Sequence, residues 1–144
     1  MRLKSILLAE DNPNDVELTL AALSDLSLAN QVDVVNNGAE VIEYLRCSGK
    51  YENRRSGHPA VILMDIKMPM MDGIEVLKLI KSDPVLKMIP VVMLTSSGED
   101  QDLLQSYTLG VNAYVVKPVD FKQFVNAVKQ LGIFWALLNE LPPT

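Results

Sequence analysis

The sequence predicts an α/β fold, a doubly wound parallel sheet with helices on both faces. Three observations predict it. Five short apolar runs recur along the chain, each is followed by a stretch with helical periodicity, and the third, fourth and fifth runs are almost wholly apolar, as strands buried on both faces are. Strands and helices that alternate in this way join one sheet through right-handed crossovers.

Taken in order, residues 5–9 read as the first strand, and a helix follows over 15–26 with apolar residues at Val16, Leu18, Leu20, Leu23 and Leu26. Pro13 and Asn14 stand near its start, where the fixed φ and missing N–H of proline cost nothing. The second strand and helix occupy 31–35 and 38–46, and the polar, glycine-containing segment 47–59 reads as a long helix-to-strand loop. The third strand, 60–64, leads to a helix over 73–81, which Gly73 opens with backbone freedom after Asp72. Pro84 and Pro90 separate that helix from the fourth strand, 91–94. A helix over 100–109, a fifth strand over 112–116 and a last helix over 120–138 complete the pattern. No internal repeat, low-complexity tract or linker interrupts it, so residues 1–144 read as one domain.

Composition excludes several classes of function. Hydrophobic residues make up 49% and charged residues 22%, which suits a packed core and excludes a disordered chain. A net charge of −5 lacks the basic footprint of a direct nucleic-acid binder. Lys50, Arg54 and Arg55 cluster, but in a polar loop they read as solvated surface. The longest apolar runs, such as 133–138, fall far short of the roughly 20 residues that span a bilayer. Arg2 and Lys4 precede only a short apolar stretch before Glu10 and Asp11, where a signal peptide needs a longer one. The single Cys47 has no partner for an internal disulfide, in agreement with a cytoplasmic protein.

Ligands of doubly wound sheets bind at the carboxyl ends of the strands, so those residues carry the most information. Glu10 and Asp11 end the first strand, Asp65 the third, Thr95 the fourth and Lys117-Pro118 the fifth. Each alone reads as a cap, a turn or a loop residue. Together they place three carboxylates, a hydroxyl and an ammonium around one crevice. Like charges at close range raise each other's pKa unless something neutralises them. A hard divalent cation does so, and a site of one or two carboxylates that keeps water suits Mg²⁺.

The run Leu7 to Asn12 with its acidic pair, the run Asp65 to Gly73, Thr95-Ser96 and the run Tyr114 to Pro118 together resemble the receiver domains of two-component response regulators. The resemblance covers residues 3–132, leaving 133–144 as a helical extension and proline-rich tail. More narrowly, the run Glu10 to Asp15, the loop 47–59 and the tail 134–139 are similar to stand-alone regulators paired with bacterial phytochromes.

The resemblance implies a flavodoxin-like (βα)5 fold with strand order 2-1-3-4-5. It implies that Asp65 accepts a phosphoryl group, and that Asp11, Asp65 and the backbone carbonyl of Lys67 bind Mg²⁺, with Glu10 reaching it through water. Lys117 would pair with one phosphoryl oxygen, Thr95 would donate to another, and the Ser96 N–H would help to position the group. Tyr114 would follow Thr95 as a switch, and by strand alternation its side chain and that of Lys117 leave opposite faces. The Lys117–Pro118 bond is a candidate cis peptide, since X–Pro is where cis bonds occur. The implied partner is a sensor histidine kinase, of the bacterial phytochrome type, or a histidine phosphotransfer protein. Such a chain has no output domain, and it is a phosphoacceptor that assists its own phosphotransfer and dephosphorylation rather than an enzyme.

Two other functions share parts of this pattern. A haloacid-dehalogenase-type phosphatase also uses an aspartate nucleophile, Mg²⁺ and a lysine, but it needs a second aspartate where Lys67 stands, and extra length for a cap. A flavodoxin-like cofactor binder needs a glycine- or hydroxyl-rich first loop, and here residues 10–14 are acidic. His58 has no histidine or cysteine partner at metal spacing, and Met64, Met68, Met70 and Met71 read as packing around the acceptor. Along 120–138, Phe121, Phe124, Val125, Val128, Leu131, Trp135 and Leu138 form a packing stripe. Ile133, Phe134 and Leu137 lie off it, which points to a homodimer, the alternative being that the tail folds back on its own domain.

Overall fold

The computed structural model describes residues 5–24, 32–54, 57–96 and 113–131. Five strands, β1 (Ile6–Ala9), β2 (Val32–Val35), β3 (Val61–Asp65), β4 (Val91–Thr95) and β5 (Tyr114–Val116), form one sheet in the order β2-β1-β3-β4-β5. All four pairings are parallel. The helices α1 (Pro13–Ser24), α2 (Gly38–Arg46), α3 (Gly73–Ser82) and α4 (Phe121–Gln130) pack on its two faces. The expected helix over 100–109, the end of the last helix and the tail 133–144 lie outside the described residues, as do Gln31 and Asn112. Among the described residues no helix is long and apolar enough to cross a membrane.

Alternation along the strands builds two cores. Leu7, Ala9, Ile62, Met64 and Met93 face α2 and α3, where Val41, Leu45, Ile74, Leu77 and Ile80 meet them. Ile6, Leu8, Leu63, Val92 and Leu94 face α1 and α4, against Leu23, Phe124, Ala127 and Val128. Phe124 is fully buried, and truncating such a ring to alanine costs about 3–5 kcal/mol. Side-chain caps set where the helices begin. Asn12 accepts from the N–H of Asn14 at 2.9 Å, Asn37 from that of Glu40 at 2.9 Å, Asp72 from that of Glu75 at 2.8 Å and Asp120 from that of Gln123 at 2.8 Å.

Several expectations need correction. β3 starts one residue later than expected and includes Asp65, and β4 includes Thr95. The fifth strand is not buried on both faces. Tyr114 and Val116 are exposed and only Val115 is buried, because β5 is an edge strand with packing from a single neighbour. In α1 the buried residues are Thr19, Ala22 and Leu23, while Leu18 is exposed. Leu18 lies two residues from Val16, about 200° around the helix, so it cannot share that face. Phe121 is exposed too, at the first position of α4.

The segment after α2 is more ordered than a polar loop. Cys47 ends the helix in the left-handed conformation at φ 51°, and its N–H donates to the carbonyl of Tyr44. A 3₁₀ turn follows over Gly49–Tyr51. The two described cations of the basic cluster are not simply solvated. Lys50 pairs with Glu40 at 2.7 Å. Arg54 donates from Nε and Nη2 to the Tyr44 carbonyl, at 2.9 and 2.6 Å, and from Nη1 to the Gly57 carbonyl at 2.9 Å. Its guanidinium also lies 4.0 Å over the Tyr44 ring. Arg54 pins the loop.

Candidate functional site: a carboxylate cluster around Lys117

Strand register places the reactive groups. Ala9 pairs with Met64, so the residues that follow, Glu10 and Asp65, come side by side at the carboxyl end of the sheet. Thr95 pairs with Val116, and the N–H of Lys117 then donates to the Thr95 carbonyl at 2.7 Å. The Lys117–Pro118 bond is cis. Tight turns hold the loop after Asp65. Gly73 N–H donates to the Ile66 carbonyl at 2.7 Å, and a Cβ on Gly73 would come within 2.3 Å of the Asp65 carbonyl oxygen. Gly73 is therefore needed for close approach, not for the backbone freedom expected of it. Met70 takes φ 72° between Pro69 and Met71, whose N–H closes back on the Pro69 carbonyl at 2.8 Å in a γ-turn. Of the four methionines near the acceptor, Met64 and Met68 are buried as expected, but Met70 is 82% exposed and fills no gap.

Glu10 and Asp65 are buried, and Asp11 is exposed beside them. Each of the three offers a carboxylate oxygen within 4.8 Å of the others. The Lys117 ammonium donates to Glu10 Oε1 at 3.0 Å, Asp15 Oδ2 at 2.9 Å and Asp65 Oδ2 at 3.1 Å. An ammonium has three N–H donors, and all three are used. Burial pushes the Glu10 carboxyl up to about 7; the Lys117 bond opposes this and the neighbouring Asp65 charge adds to it. For Lys117, burial works against the charged form, but the bonds to Asp15 and Glu10 and the Asp65 charge outweigh it and hold its pKa above the ordinary lysine value.

Thr95 is fully buried, and its Oγ1 has no hydrogen-bond partner among the described residues. An unmatched buried hydroxyl costs about 1–3 kcal/mol. Lys67 and Ser96 stand exposed just past Asp65 and Thr95, and Tyr114 is 44% exposed on β5. His58 is exposed in its loop. The expected residues thus fall into a tight group of Glu10, Asp11, Asp65 and Lys117, the buried Thr95 next to it, and three peripheral positions. Asp15 is the member that sequence reasoning missed. A carboxylate in the first turn of a helix is favoured by the helix dipole, so Asp15 read as an ordinary helix start. Its place five residues after Glu10 was the available signal.

Three carboxylates whose oxygens approach this closely, with a single ammonium against them, form a hard, oxygen-rich and net negative pocket, which fits a divalent cation such as Mg²⁺. Comparison with known proteins gives the same frame. The response regulator receiver domain matches residues 6–129. Response regulator Rcp1 of Synechocystis sp. is 37% identical over 96% of this chain and 93% of its own length. Its Mn²⁺-bound form has been solved and superposes with a TM-score of 0.72, over 97% of this chain and 99% of that one. The bacteriophytochrome response regulator AtBRR is 58% identical with a TM-score of 0.90, covering 97% of this chain and 100% of that one. RtBRR, of the same kind, is 57% identical with a TM-score of 0.88, covering 99% and 86%. The sheet order, the acidic cluster and these matches lead to one conclusion: the chain belongs to the response regulator receiver family.

Proposed function

We propose that this protein is the phosphoryl-accepting receiver of a two-component relay, taking the group from a partner histidine kinase onto Asp65. The observation that carries this reading is the convergence of the Glu10, Asp11 and Asp65 carboxylates, two of which, Glu10 and Asp65, bond the Lys117 ammonium. Asp65 attacks the phosphorus of a phosphohistidine; the P–N bond breaks as an O–P bond forms, and the product is an acyl phosphate. Phosphoryl transfer asks for positioning and charge neutralisation more than for covalent help. Mg²⁺, held by Asp11, Asp65 and the Lys67 carbonyl with Glu10 through water, would supply much of that neutralisation. Lys117 pairs with a phosphoryl oxygen once the Asp65 oxygen is esterified. Thr95 Oγ1, buried and without a partner among the described residues, donates to another, and the Ser96 N–H assists. Tyr114, half out of the sheet edge, responds to the move of Thr95.

The relatives named for bacteriophytochromes support a kinase partner of the phytochrome type, with a histidine phosphotransfer protein as the alternative donor, and the Mn²⁺-bound Rcp1 supports a divalent cation in this pocket. Residues 1–144 act as one receiver unit, in the cytoplasm, and signal through protein contacts rather than through nucleic acid or membrane. Two copies associate through the last helix and fifth strand. Exposed Tyr114, Val116 and Phe121 support this surface. Sedimentation of the full chain against one ending at Gly132 tests the dimer, and two folded monomers would exclude it.

The test of the main reading is labelling with a small-molecule phosphodonor. Label should require Mg²⁺, be released by hydroxylamine and be absent from Asp65→Asn. Stable phosphate, or full labelling of the Asn variant, would overturn it.

A further inference from the structure

Asp15 is the one carboxylate on Lys117 that the phosphoacceptor reading leaves without a role. It stands in the first turn of α1, outside the Glu10, Asp11 and Asp65 trio. Its side chain is 26% exposed, against 1% for Glu10 and 8% for Asp65, yet its contact to the ammonium, at 2.9 Å, is the shortest of the three. Because the ammonium has only three donors, a bond given to Asp15 is one not given to Glu10 or Asp65. Both belong to the carboxylate group that would hold a divalent cation, Asp65 directly and Glu10 through water.

We propose that Asp15 is a positioning residue: it draws the Lys117 ammonium toward α1, keeps carboxylate lone pairs of Glu10 and Asp65 open, and thereby raises the affinity of the pocket for Mg²⁺. The inference rests on the phosphoacceptor reading and deepens it. Without Asp15 the freed donor turns to the two buried carboxylates, and the ammonium competes with the cation for the same oxygens. Asp15 suits this task because it is anchored at its own backbone: its N–H donates to Asn12 Oδ1 at 3.3 Å within the α1 cap. The side chain therefore projects from a fixed helix start toward the mouth of the pocket.

Calorimetric titration of Mg²⁺ into the full chain tests the proposal. Asp15→Asn should raise the dissociation constant about three- to tenfold, the scale of the net worth of one hydrogen bond redirected onto the carboxylates of the pocket. A second variant, Asn14→Asp combined with Asp15→Asn, returns the charge to the same exposed turn one residue away without restoring the Lys117 bond. It should bind as weakly as Asp15→Asn alone. Recovery of wild-type affinity in the charge-shifted variant, or no change in Asp15→Asn, would overturn the positioning role. Failure of the wild-type chain to take up Mg²⁺ would overturn the phosphoacceptor reading beneath it, and is distinguishable because it precedes any substitution.

Discussion

Lys117 and Arg54 both direct hydrogen bonds at several oxygen acceptors, but the two regions around them behave differently. Arg54 bonds two main-chain carbonyls, those of Tyr44 and Gly57, and stacks its flat guanidinium over the Tyr44 ring. Those acceptors are neutral, and the Tyr44 carbonyl also accepts from the Cys47 N–H, so the arrangement is a latch on the loop after α2. Lys117 bonds three carboxylates. One ammonium against three carboxylates leaves the pocket short of cations, and in the proposed function the same oxygens bind a metal or carry the phosphoryl group. The charge of the acceptors separates the two: a cation among neutral carbonyls closes a structure, and one among carboxylates leaves negative charge to be matched.

The sharpest way to break this comparison is to remove each cation with and without Mg²⁺. Lys117→Ala leaves Glu10 and Asp65 buried without their counter-charge, and should cost about 3 kcal/mol or more in metal-free protein, by urea unfolding. Mg²⁺ should restore a measurable part, since it supplies the missing charge. No loss of stability, or no recovery with Mg²⁺, would mean that the carboxylates are satisfied without either cation.

A smaller effect is expected from the pH dependence of the same pocket. Glu10 titrates at about 7 instead of its usual 4.5, so the folded state holds its proton more tightly than the unfolded chain does. That contribution to stability is fully present below about pH 4.5 and is lost as the pH rises through about 7. Metal-free Glu10→Gln, which cannot lose a proton, should therefore show a flatter stability profile across this window. Equal slopes in the two proteins would place the titrating group elsewhere.

Arg54→Ala should cost about 1–2 kcal/mol through lost hydrogen bonds and stacking. The cost should be the same with and without Mg²⁺, and labelling of Asp65 should be unchanged. A Mg²⁺-dependent cost would couple the latch to the pocket. The smallest effect belongs to Lys67, exposed two residues past Asp65. Lys67→Ala should change the spontaneous lifetime of the phosphoryl group by a few-fold while leaving uptake possible, the result expected of a side chain that flanks the path of attacking water. An unchanged lifetime would show that it points away from the site.

Much of this molecule was legible along the chain, because local order decided it. The alternation of apolar runs and helical stretches follows from the periods of strand and helix, and it placed α2 at its observed bounds. The acidic pair Glu10-Asp11, Asp65, Thr95 and Lys117 stood out because each ends a strand of a parallel sheet, where the chain must turn and ligands gather. What failed were judgements that depend on neighbours across space. Phe121 is apolar but faces outward, and β5 is apolar yet lies at the edge.

The sequence by itself determined the sheet, the order of its elements and the chemical identity of the groups at one end of it. Only the tertiary structure decided which of those groups bond to one another. The Lys117–Asp15 contact spans 102 residues of chain, and nothing local to either residue announces it. Likewise, the rise of Glu10 to about 7 depends on burial and on Asp65 beside it. An ammonium chooses its three partners by distance and direction, and those are set when parallel strands lock in register. Residue type supplies the charge; the packing of β1, β3, β4 and β5 decides what that charge meets.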